Sequence, residues 1–146
     1  MTRVLWVHSA YFETESYRDA LQRIGYSVNG AENVVDALPK LDTPPYGAVF
    51  LSPYFLSWGD AERNPPDDVR ISDSLDLGLW FYNELRQGNN SRSPFFLVPI
   101  GINRPPALLG RLHDRMRGDT GRVFLCDLTD TLPRELCELV ERTLRK

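Results

Sequence analysis

Residues Tyr46–Trp58 read YGAVFLSPYFLSW. Within them Ala48–Leu51 is apolar throughout, follows the turn formers Pro44, Pro45 and Gly47, and is closed by Pro53. A short apolar run between chain breakers reads as a strand buried on both faces, the kind that sits in the middle of an α/β sheet. Ser52 is the first polar residue past the run. It therefore falls at the strand's carboxyl end, where open α/β sheets keep their sites.

The rest of the chain repeats that unit. Val4–Val7 is a first apolar strand, expected to enter the sheet centrally. Ser16–Ile24 puts Tyr17, Ala20, Leu21 and Ile24 on one helical face, and Gly25 is placed to stop that helix. Tyr26–Val28 is a short second strand. Ala31–Leu41 carries Val34, Val35, Leu38 and Leu41 at helical spacing, with Pro39 set to shorten or kink it. After the Ala48–Leu51 strand come a long polar loop, about 53–74, and a helix over Leu75–Arg86. A strand at Phe95–Val98, a helix at Pro105–Met116, a strand at Val123–Cys126 and a helix at Leu132–Leu144 complete the alternation. Apolar strands alternating with helices predict a parallel sheet with right-handed crossovers covering both faces. The expected fold is a flavodoxin-like three-layer α/β sandwich, one domain over residues 1–146, with five strands in the order 2-1-3-4-5.

Composition narrows the partners. A net charge of −3 argues against a nucleic-acid or anionic-membrane surface. No apolar run approaches the roughly 18 residues of a membrane span, and the amino terminus lacks a signal-peptide core, so a cytoplasmic protein is expected. Cys126 and Cys137 read as buried thiols. With His8 and His113 the only histidines, neither a metal site nor a cofactor is expected.

The string GYSVNGAENVVDALPKLDTPPYGAVFLSPYF resembles the receiver domain of two-component response regulators. Receivers typically show Gly-Tyr-x-Val, an Ala-Glu-Asn at the exit of the second strand, an Ala-Leu helix, and a Tyr-Asp-x-Val-x-x-Asp strand. VLWVHSA, LGLWFYNELR, SPFFLVPI and VFLCDLTDTLPREL fit the remaining receiver segments, so the likeness covers nearly the whole chain. It implies phosphoryl transfer to an aspartate, which needs a carboxylate nucleophile, two more carboxylates for Mg²⁺, and a hydroxyl and a lysine for the phosphoryl oxygens. On this sequence the acceptor position is Ser52, the acidic pair is His8 and Ser9, the hydroxyl position is Pro99 and the lysine position is Asp127. The resemblance thus implies a receiver scaffold with all five positions replaced. The expected role is a non-catalytic signalling module bound by a protein partner. A homodimer through the fourth helix, fifth strand and last helix is the form that receivers use.

Other patterns compete. LSPYFLSWGDAER also looks like TIR-domain text, with Ser57, Trp58 and Glu62 suitably spaced, and that likeness implies NAD cleavage by Glu62. Pro65-Pro66 would end a helix within a turn of Glu62, which counts against it. Asp60, Glu62, Asp67 and Asp68 are either a solvated loop or a cation site. Tyr54, Phe55 and Trp58 either cover the end of the sheet or form an aromatic anchor for a partner. Arg104, Arg111, Arg115, Arg117 and Arg122 are either a solvated face or a docking surface for an acidic partner. A small anion held at the strand carboxyl ends by helix amino termini is a further reading.

Overall fold

The structure, a computed structural model, describes residues 2–52, 56–59, 74–88, 90–100, 110, 114 and 122–144, with backbone alone at 74–76. Strands β1 (Arg3–Val7), β2 (Ser27–Ala31), β3 (Ala48–Leu51), β4 (Phe95–Leu97) and β5 (Val123–Leu125) form a parallel five-stranded sheet in the order β2-β1-β3-β4-β5. Helices α1 (Glu15–Arg23), α2 (Val34–Ala37), α3 (Ser74–Gln87) and α4 (Pro133–Leu144) connect or follow these strands. The predicted fold class and strand order are those observed.

Side-chain alternation along each strand divides the interior in two. Leu5, Val7, Val49, Leu51, Phe95 and Leu97 face one core, shared with Val34 and with Leu77, Phe81 and Leu85 of α3. Val4, Trp6, Ala48, Phe50 and Phe96 face the other, shared with Tyr17 and Leu21 of α1 and Leu136 and Val140 of α4. Burial on both faces explains why β3, β4 and the Val4–Val7 part of β1 are apolar without a break.

The second core holds an aromatic ladder. Trp6 pairs with Phe50, Phe50 with Phe96 and Phe96 with Phe124 across directly opposed positions. Their ring centroids lie 5.0, 4.9 and 5.2 Å apart. Each such pair contributes about 0.5–1.5 kcal/mol beyond its burial.

Two local outcomes differ from expectation. The second strand runs to Ala31, because β1 offers it partners over its full length from Arg3 to Val7. The helix expected over Ala31–Leu41 is α-helical only at Val34–Ala37 and tightens into a 3₁₀ turn at Leu38–Asp42, with Pro39 at its start. Proline cannot donate to the preceding turn, so the α ladder ends there. Gly25 takes φ +101° after α1, the left-handed stop that its position predicts. Of the helix expected at Pro105–Met116, the described residues Gly110 and Asp114 are both helical. Among the described residues no helix is long and apolar enough to cross a membrane.

Candidate functional site

The carboxyl ends of four neighbouring strands bring together residues far apart in sequence. His8 follows β1, Ser52 follows β3, Pro99 lies two residues beyond β4 and Asp127 two beyond β5. Backbone bonds carry the ladder past the strands: His8 N–H to Ala31 O (3.0 Å), Ser52 N–H to Val7 O (2.9 Å), Val98 N–H to Leu51 O (2.9 Å) and Leu128 N–H to Pro99 O (2.8 Å). This fixes the relative positions of all four ends.

His8 is fully buried. Its Nδ1 accepts the Ala10 N–H at 3.0 Å, so the ring proton sits on Nε2, 3.0 Å from the Val98 carbonyl that accepts it. Val98 follows β4, so the imidazole reaches across the end of β3 and ties the first strand exit to the fourth. The ring also stacks on Trp6, with centroids 5.9 Å apart. Burial pushes the His8 pKa down from 6.5 to about 4; the Arg18 charge lowers it further, while the bond to Val98 and the charge of Glu13 oppose the shift. A neutral imidazole with both nitrogens engaged cannot take a proton from Ser52 without giving up its bond to Ala10.

The other strand-end residues are also built into the structure. Ser52 is 2% exposed and hydrogen-bonded. Pro99 is buried and has no hydroxyl to offer, while Ser9 faces solvent. Asp127 accepts the Thr129 N–H on Oδ1 at 2.9 Å and caps the 3₁₀ turn Leu128–Asp130. The Tyr17 hydroxyl lies 2.8 Å from Leu128 O and 2.5 Å from Thr131 O, which anchors this turn to α1. Among the described residues no three His, Cys, Asp or Glu side chains cluster as a metal site would require.

The segment after β3 returns to the body of the protein. Val34 N–H donates to Ser57 O at 3.1 Å and Val35 N–H to Trp58 O at 2.8 Å. These are amino-terminal amides of α2, which otherwise lack partners within the helix. Asn33 caps the same helix through Asp36 N–H at 2.8 Å. Gly59 has φ +110°, and a Cβ there would lie 2.5 Å from Asn33 Oδ1. The chain therefore closes on α2 at a position only glycine fits. Trp58 is 7% exposed, packs in the core and meets Trp80 edge-on at 5.5 Å. Trp58 is thus part of the cover over the sheet's end and not the exposed anchor that the sequence also allowed. Tyr54 and Phe55 lie outside the described residues, as do Asp60, Glu62, Asp67 and Asp68 of the acidic loop. Arg104, Arg111, Arg115 and Arg117 also lie outside them, whereas Arg122 is described and exposed.

Arg18, on α1, is a residue beside the site that the sequence does not single out. It is 7% exposed, its guanidinium lies 3.5 Å over the Tyr11 ring, and its Nη1 is buried without a hydrogen-bond partner. Its signal was faint: a charge on the helix face next to Tyr17 and Leu21, which are themselves buried.

No protein-family model matches the sequence, and no curated protein sequence matches it. Solved structures do. A chemotaxis response regulator of Vibrio cholerae is similar with a TM-score of 0.67 at 17% identity, covering 98% of each chain. A two-component response regulator from Clostridium difficile gives a TM-score of 0.68 at 18% identity over 100% of this chain and 98% of that one. A signal receiver domain of a two-component histidine kinase from Clostridium thermocellum gives 0.68 at 13% identity over 99% and 98%. Similarity at such identity establishes geometry and leaves chemistry to the residues of the site. By strand order, crossovers and end-to-end superposition, the chain has the fold of the receiver domains of two-component response regulators.

Proposed function

We infer that this chain is a cytoplasmic signalling module that uses a receiver scaffold without aspartyl phosphorylation and acts by binding a partner protein. The observation that carries this reading is the bonding of the strand-end residues. His8 has both ring nitrogens engaged, and Asp127 caps its own turn. Phosphoryl transfer needs a carboxylate nucleophile, a metal and a cation at the incoming phosphate. Ser52 is not a carboxylate, and Asp127 would repel the phosphoryl group. The attachment of the β3 exit to α2 favours a single conformation over a switch.

Incubation with acetyl phosphate and Mg²⁺, followed by intact-mass measurement, tests this. The expected result is no phosphoryl adduct. An adduct mapped to Ser52 or Asp127 would overturn the reading.

A second copy of the chain is one partner this reading supports. Leu125 on edge strand β5 and Leu132 just before α4 are 42% and 59% exposed. They place apolar surface on the side through which receivers pair. Light scattering after size exclusion should give a dimer that the double substitution Leu125→Glu and Leu132→Glu converts to a monomer. A monomer at high concentration for the unaltered protein contradicts the dimer.

A further inference from the structure

At the pole of the sheet opposite the strand carboxyl ends lies an open, shallow cavity of about 520 Å³. Its walls come from the segments that lead into four adjacent strands and from the end of α4. Thr2 precedes β1, Gly47 precedes β3, Ser91–Pro94 precede β4, Arg122 precedes β5, and Leu144 ends α4. That volume is within the roughly 300–1,000 Å³ typical of small-molecule sites.

The lining is selected for charge. Arg92 and Arg122 both line it, and among the described residues no carboxylate does. The whole chain carries 20 acidic residues against 17 basic ones, so two guanidinium groups without an acid among the described lining residues depart from the average surface. Both arginines are exposed, and Arg92 has no ion-pair partner among the described residues. Behind the wall sits Arg86, whose Nε and Nη2 are buried without hydrogen-bond partners.

The floor is built in advance of any ligand. Arg86 donates to Asn90 O at 2.9 Å and to Ser93 O at 2.6 Å. Asn90 Oδ1 accepts the Tyr46 N–H at 2.8 Å, and the Ser93 hydroxyl donates to Tyr46 O at 2.7 Å. Asn90 and Ser93 are buried, at 1% and 7% exposure. Gly47 N–H donates to Arg3 O at 2.7 Å, and a Cβ at Gly47 would lie 2.5 Å from the Thr2 methyl, so this wall is closed as far as glycine permits. Fixed walls spare a ligand part of the ordering cost of binding. The hydroxyls of Thr2 and Ser91 and the apolar surfaces of Pro94 and Leu144 complete the lining.

We propose that this cavity binds a small organic anion, with Arg92 and Arg122 holding its carboxylate or phosphate group and Pro94 and Leu144 packing on its apolar body. Guanidinium groups bind both oxyanions through paired N–H donors, and an apolar wall adds affinity for a body that inorganic ions lack. The site is independent of the inactive strand-end cluster and would make the module responsive to a metabolite.

Amide NMR titrations with benzoate and with phenyl phosphate, at constant ionic strength, test the site. The two probes share one ring and differ in the anion. Saturable shifts confined to Gly47, Ser91, Arg92, Ser93, Phe95 and Arg122 are expected with at least one probe, and the tighter probe identifies the anion. The double variant Arg92→Gln and Arg122→Gln should keep its melting temperature, since both side chains are exposed. It should lose about tenfold or more in affinity. No saturable shift with either probe up to about 10 mM, a range that spans weak millimolar binding, would overturn the proposal. So would shifts that persist unchanged in the double variant.

Discussion

His8, at the end of β1, is held as a structural residue. An imidazole at a strand end could serve as a base, but its two nitrogens are bonded to Ala10 and Val98 and its ring is stacked on Trp6. Holding it neutral has a consequence for pH. The folded pKa is about 4 against 6.5 for the free group, so between those values the unfolded chain binds more protons. Stability therefore falls as pH drops below 6.5, and the loss is complete below about 4. The shift corresponds to about 3 kcal/mol. Urea unfolding of the wild type and of His8→Gln across this range should show a steeper loss in the wild type. Parallel pH curves would contradict the assignment. Trp58 gives a second test at this scale. Its burial against Trp80 predicts that Trp58→Ala costs about 3–5 kcal/mol in urea unfolding. A cost under about 0.5 kcal/mol would mean that the ring is at the surface.

At the scale of elements, the closure of the β3 exit on α2 replaces a feature that short helices usually leave to solvent. A four-residue helix has few internal bonds, and here two of its amino-terminal amides are taken by Ser57 and Trp58. Gly59→Ala would force a strained φ and a clash with Asn33 at once. It should cost roughly 1–3 kcal/mol and speed hydrogen exchange at Val34 and Val35. Unchanged exchange at those amides would show that the two segments are not joined. The apolar strands were legible in the sequence because burial on both faces leaves an unbroken apolar signature. β2 was only partly legible. Asn29 and Gly30 are poor strand formers, and their strand is set by pairing with Leu5 and Trp6. The inward turn of Trp58 was ambiguous, because Pro53 ends the strand without fixing where the chain goes next. The strand-end positions were legible, but their bonding was not. His8 and Val98 are 90 residues apart, and only the fold brings them together.

For the whole molecule, the receiver fold places two distinct poles on one sheet. The carboxyl pole has its polar groups bonded within the protein. The amino pole holds an open, positively lined cavity on a fixed floor. The aromatic ladder from Trp6 to Phe124 runs between them and makes the sheet a stiff separator. Under the proposed function, a partner would read the surface that this sheet presents and not a phosphate that comes and goes. The claim rests on the carboxyl pole being chemically silent. Amide NMR spectra with and without Mg²⁺ and beryllofluoride, a mimic of aspartyl phosphate, test it most directly. The account predicts that the His8, Ser52, Val98 and Asp127 resonances stay where they are. Shifts clustered at those residues would show a working phosphorylation site and contradict it.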